Sequence, residues 1–232
     1  DLIKYKIIKS KNKIDFETFL NLDNLDIAFK NFTYNKAKNQ KASLKVKGFK
    51  NNNKLFFQQI NYNENNNKIK INNLEINDNK ILNLDKLILN YKNNNNYENK
   101  ISLINKDGNY ELLGESFDST QLIENLSNSD SDDNLFEIFK NLNSKIKINL
   151  NEVKLDDTSV VNNFKGSLII KKSKIFNINL NSNFSNSEKL FILAETKDDK
   201  SFITTFHSDR AKPFVKKYKF IKGFEDGNLD FS

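Results

Sequence analysis

The sequence predicts a mainly β protein, one long antiparallel meander interrupted by two or three short helices. Three observations carry this. Apolar and polar residues alternate in short runs, as in Lys145-Ile146-Lys147-Ile148-Asn149-Leu150 and Phe176-Asn177-Ile178-Asn179-Leu180. Successive side chains of a strand point to opposite faces, so such runs give a sheet one apolar face and one polar face. The rhythm restarts about every ten residues, the spacing of strands joined by short turns. The joints are rich in asparagine, with about 40 in the chain against a single proline. Runs such as Asn51-Asn52-Asn53 and residues 93–96 therefore read as turns, because Asn tolerates the left-handed conformation that tight turns need.

The first 117 residues resolve into nine expected strands, at 3–8, 14–20, 25–34, 42–49, 55–62, 69–76, 81–91, 101–105 and 110–117. Within 69–76 the apolar phase slips from odd (Ile69, Ile71) to even (Leu74, Ile76), so a bulge or turn is expected at Asn72-Asn73. The rhythm stops between 118 and 144. Asp118-Ser119-Thr120-Gln121 has the form of a helix N-cap with Gln at the third helical position, and Leu122, Ile123 and Leu126 follow at helical spacing. After a polar stretch at 127–133, Leu135, Phe136, Ile138, Phe139 and Leu142 form the apolar stripe of a second short helix.

Strands resume at 145–155, 160–170, 175–184, 190–196 and 202–206. Leu190-Phe191-Ile192-Leu193 is apolar on both faces, so cover on its second side is expected, with a helix as the candidate. Ser208-Asp209 can cap a third helix near 209–219, and Gly223 and Gly227 bracket a return to strand. The layout is a β-meander segment at 1–117, a helical insertion at 118–144 and a second β segment at 145–232, within one continuous domain. The chain lacks an initiator Met and its pattern runs to Leu229-Asp230-Phe231-Ser232, so an excerpt of a longer chain is expected. No apolar stretch approaches the ~20 residues of a membrane-spanning helix.

The net charge of +7 raises the question of a nucleic-acid partner. Arg210 is the only arginine, the usual base reader, and the lysines alternate with apolar residues along the whole length. A solvated outer face accounts for them, and lysines on strands also discourage edge-to-edge aggregation. No nucleic acid is expected as partner. Cysteine is absent, and the one histidine, His207, lies opposite in parity to Phe202, Thr204 and Phe206, as a half-exposed strand residue would. Asp130, Asp132 and Asn134 resemble the start of a calcium loop. Leu135 stands where glycine is needed, however, and Asn141 where the twelfth-position glutamate belongs. Asp156-Asp157 and Asp198-Asp199 fall at turns, and the six glycines form no phosphate-binding loop. No enzyme, catalytic residue, cofactor or metal is expected. Periodicity leaves two uses for the apolar face: a sandwich core between two sheets, or the floor of an open trough.

From Ile101 onward the chain resembles the AsmA-like family of bacterial envelope proteins, particularly its YhdP-type members. Gly114-Glu115-Ser116-Phe117-Asp118 followed by Leu122-Ile123 is similar to the family's segment in which a strand ends in Gly, a Phe-Asp pair and a short helix. The Ser/Asp-rich loop and the amphipathic strand after it fit the same plan. Thr205-Phe206-His207-Ser208-Asp209-Arg210-Ala211, with Phe214-Val215 and the stretch from Gly223 to Leu229, is similar to its strand–Ser-Asp–helix–Gly–strand element. The chain departs from that element at Lys212, where the family has Gly, at Pro213, and at Phe224, where a second Gly is usual. Proline late in a first turn removes a hydrogen bond, so the helix is expected to start nearer Lys212.

The resemblance implies a meander curled into an open groove or half-barrel with an apolar floor. It also implies a periplasmic protein, anchored to the inner membrane by a segment not present here, that moves phospholipid toward the outer membrane. On that reading the chain is a non-enzymatic conduit for acyl chains, its groove lined by Ile146, Ile148, Leu150, Leu168, Ile170, Ile178, Leu180, Leu190 and Ile192. A β-sandwich or adhesin-type scaffold module of an envelope protein is the alternative. An acyl chain gains about 0.8 kcal/mol per CH₂ removed from water, so an apolar trough can hold lipid without specific polar contacts.

Overall fold

The computed structural model describes residues 2–78, 80–121, 143–171, 174–185, 187–197, 201–215 and 227–232. Strands β1 (Ile3–Lys9) and β2 (Lys13–Asn21) open the sheet. β3 (Ile27–Phe29) and β4 (Tyr34–Lys36) form a separate hairpin. Then follow β5 (Ala42–Asn51), β6 (Lys54–Glu64), β7 (Asn67–Asn77), β8 (Lys80–Lys92), β9 (Glu98–Lys106) and β10 (Asn109–Asp118). The second half adds β11 (Ser144–Lys154), β12 (Val160–Lys171), β13 (Lys174–Asn183), β14 (Lys189–Thr196), β15 (Phe202–Ser208), a one-turn helix α1 (Lys212–Val215) and β16 (Leu229–Phe231). All but β3 and β4 join one 14-stranded sheet whose order is the chain order. Every pairing is antiparallel except β10–β11, which is parallel, so Gln121 and Asn143 lie toward opposite ends of the sheet.

Asparagine and aspartate make this meander possible. Asn52, Asn65, Asp78 and Asp107 carry positive φ of 50°, 49°, 47° and 54° at the turns β5–β6, β6–β7, β7–β8 and β9–β10. Asp107-Gly108, with both φ positive, has the form of a type I′ turn, whose twist matches that of its strands. The asparagine runs are turns, as the sequence predicts. Asn73, with φ 50°, is the point where the apolar phase of β7 slips, and Asn163, with φ 55°, is the matching point in β12. Opposite Asn163 the β12–β13 register shifts by one residue, and in β10 the register shifts between Gly114 and Ser116. Because neighbouring strands slip together, one face stays apolar along the whole sheet.

Three expectations are corrected. The meander is neither closed nor strongly curled, so it is not a half-barrel; β1 and β16 are free edges, and all seven residues of β1 are exposed. The expected strand 25–34 breaks into β3, a 3-10 turn at Lys30–Phe32 and the start of β4, because Thr33 adopts a left-handed φ of 49° and reverses the chain. Among the described residues α1 is the one complete short helix, where two or three were expected. Asp118 does accept the Thr120 N–H at 3.1 Å, as an N-cap would, and a helical turn opens at Thr120. The second expected helix and the Asp130–Asn134 stretch lie outside the described residues, as does all of the third beyond Val215.

Substantial contacts between strands of the large sheet run only between neighbours, so the sheet does not fold back on itself. The two-stranded sheet of β3 and β4 is the only other sheet among the described residues. A sandwich of two comparable sheets is not the architecture they show.

Candidate functional site

Cross-strand register places residues directly opposite one another on the same face, and it threads the nine expected residues into rows. Ile146 faces Leu168, which faces Ile178 and then Ala194. Ile148 faces Gly166, then Leu180, then Ile192, then Phe206. Leu150 faces Phe164, Ser182 faces Leu190, and Ile170 lies between Ser144 and Ile175. The rows continue across the parallel pair, since Leu112 lies beside Ile148 and opposite Leu103, which faces Leu87 and then Ile71. Sequence reasoning, which began the groove at β11, missed this earlier half of the floor. Its signal was present in the parity of Ile60, Tyr62, Ile69, Ile71, Leu87 and Leu89.

The floor has one closed long rim. At the end of the strands near Asn21, Glu64, Lys92, Lys154 and Ser208, two elements fold over the apolar face. The excursion between β2 and β5 packs Tyr34, Phe32 and Ile27 against Tyr62, Leu89, Tyr91 and Leu22. Farther along, α1 lays Phe214 against Phe206, with ring centroids 4.8 Å apart, beside Phe117, Val153, Val161 and Phe184. Pro213 sits in the first turn of α1, where its missing N–H costs nothing, so the helix starts at Lys212 as expected. α1 lies on the face of Leu190 and Phe206, not on the face of Phe191 and Leu193, so the expected helical cover on that second side is not what it provides.

Both caps are pinned by polar contacts. Lys36 is 1% exposed, and its ammonium donates to the carbonyls of Asp23, Leu25 and Ala37 at 2.9, 2.9 and 3.0 Å. Tyr34 Oη lies 2.8 Å from Tyr62 Oη and donates to buried Glu64 at 2.9 Å; Asn65 and Asn67 also donate to Glu64. Burial, with the bonds to Tyr62 and Glu64, pushes the Tyr34 phenol far above its usual range, so it is a fixed donor rather than an acid. The stretch ahead of α1 is held by Arg210, which grips Glu188 through Nε at 3.1 Å and Nη2 at 2.6 Å. These contacts escaped sequence reasoning because a buried lysine and tyrosines at strand ends carry no periodic signal.

Away from the caps the floor is open. Leu150, Ile170 and Leu190 are buried, whereas Ile146, Ile148, Leu168, Ile178, Leu180 and Ile192 are only half-buried. A polar seam crosses it where the bulges lie: Asp85 accepts from Asn73 at 2.7 Å and from Asn83 at 2.9 Å, and Asn105 donates to Asn83 at 3.2 Å. His207 stands on the polar face between Asp209 at 3.2 Å and Asp230 at 3.6 Å. Among the described residues no group of three or more His, Asp or Glu could hold a metal ion, and no helix is long and apolar enough to cross a membrane. No family model, no curated protein and no solved structure matches this chain.

Proposed function

We propose that this chain is a non-enzymatic lipid-binding surface, a length of conduit whose apolar floor carries phospholipid acyl chains. The observation that carries the reading is the half-exposure of Ile148, Leu180 and Ile192 in one apolar row, on a sheet over which, among the described residues, only the β3–β4 excursion and α1 fold. Apolar patches larger than a few hundred Å² are rare on proteins that bind nothing, and they mark interaction sites. Similar Ile, Leu and Phe walls from strand to strand leave neighbouring positions close in energy, which favours sliding of a tail over trapping. A shallow floor with one walled rim suits a ligand whose tails leave water while its headgroup stays wet. The sequence resemblance to AsmA-like proteins supports reading such a conduit as periplasmic, moving phospholipid between the inner and outer membranes of a Gram-negative envelope.

Mass spectrometry of an organic extract of the purified chain tests the reading. Co-purifying phospholipid is the expected result, together with its loss in Leu180→Asp at unchanged secondary structure. A lipid-free chain that also fails to move fluorescent phospholipid between vesicles would overturn it. A scaffold module predicts that second outcome.

A further inference from the structure

We infer that phospholipids on this floor seat their headgroups along the uncapped rim, with tails running along the strands toward the caps, and that the site therefore selects anionic headgroups. This inference rests on the lipid-binding reading. The two long rims differ in cover and in charge. At the capped rim the protein's own side chains fill the floor, with Tyr91, Val153, Val161 and Phe206 buried, so no headgroup can lie there over the hairpin or α1. Carboxylates also gather there: Asp118, Glu152, Asp156, Asp157, Glu188 and Asp209.

The opposite rim is made of tight turns, and lysines end its strands. Lys9, Lys50, Lys80, Lys106, Lys145 and Lys171 are all exposed there. None of the first five forms an ion pair among the described residues, and Lys171 lies 3.7 Å over the Phe176 ring. Two of them stand on the floor side itself, because Lys9 faces Ile14, Ile14 faces Lys50, and Lys50 faces Leu55. Among the described residues near this rim, Asp15 and Glu75 are already paired with Lys13 and Lys54 at 2.7 and 2.8 Å, and the other carboxylates are Asp78, Asp107, Glu111 and Glu195. The lysines on the polar side of these turns have flexible four-carbon stems long enough to reach round the rim.

The dimensions fit. From Ile81 to Leu87, short of the end filled by the hairpin, the floor of β8 runs about 20 Å at ~3.3 Å per residue. One leaflet of tails is about 15 Å deep, half the hydrocarbon thickness of a bilayer. A tail can therefore lie wholly on the floor with its phosphate among the rim lysines.

Competition between lipids tests this. The chain is equilibrated with equimolar detergent-solubilised phosphatidylglycerol and phosphatidylcholine, and retained lipid is quantified by mass spectrometry. At low ionic strength phosphatidylglycerol should be enriched about tenfold, an enrichment that about 0.5 M salt removes. Changing Lys50, Lys106 and Lys145 together to Gln should bring the ratio near one without lowering total lipid. The same change at Lys41, Lys92 and Lys189 on the capped rim should leave the enrichment intact. Equal retention of both lipids by the unmodified chain, or loss of selection in the capped-rim variant, overturns the headgroup placement while leaving lipid binding standing. Retention of neither lipid overturns the lipid-binding reading itself.

Discussion

Lys36 shows how single side chains decide what this sheet can leave open. Its ammonium, itself buried, donates to the carbonyls of Asp23, Leu25 and Ala37 and so ties together three points of the excursion between β2 and β5. Lys36→Met keeps the stem and removes the donors, so it should cost about 2–4 kcal/mol in denaturant unfolding and loosen the hairpin. Gly166 is held at φ 151°, and a Cβ there would sit 1.9 Å from the Asn179 carbonyl oxygen. Gly166→Ala should lower the melting temperature strongly, since neither backbone can yield without breaking the β12–β13 ladder. The floor itself separates two kinds of apolar residue. Val161, 0% exposed among the side chains under α1, belongs to the protein's own core, and Val161→Ala should cost about 1–2 kcal/mol. Leu180→Asn, at a half-exposed position of the open floor, should cost less than Val161→Ala in the same assay while reducing lipid retention.

At the scale of elements, strand positions were legible because the apolar period of two survives every bulge, and Asn72-Asn73 announced its own slip through parity. The strand expected at 25–34 was not legible as a hairpin. Ile27, Phe29 and Tyr34 read as an alternating run, and nothing local says that Thr33 turns left-handed to bring Tyr34 under Tyr62. Long-range burial made that choice, not local propensity. α1 was half legible: Ser208-Asp209 and Pro213 marked its start, but Glu188, which grips Arg210, stands 22 residues away. That grip, through hydrogen bonds first and charge second, holds the Glu188 carboxyl below its usual range. Since the folded value lies below the unfolded one, the stabilisation is complete above the ordinary carboxylate range and fades as pH falls through the lowered value. Hydrogen exchange in α1 should accordingly be slower in the unmodified chain than in Arg210→Gln near neutral pH. The difference should vanish in acid.

For the whole molecule, the two-faced character of the chain was plain in the sequence, and curvature was not. Alternation fixes which face avoids water but says nothing of how far a sheet bends. That depends on the twist each bulge adds and on what packs above the face. The result is a shallow open sheet about 60 Å across its fourteen strands at the usual ~4.8 Å spacing, walled along one rim by the hairpin and α1. The central claim is that its apolar face, and not its polar one, meets lipid. Photo-crosslinking tests this most directly, with p-benzoylphenylalanine placed at position 180 on the floor in one variant and at position 179 on the opposite face in another. Illumination in the presence of phospholipid should give a lipid-mass adduct at 180 and none at 179. Equal labelling at both positions, or none at either, would contradict the account.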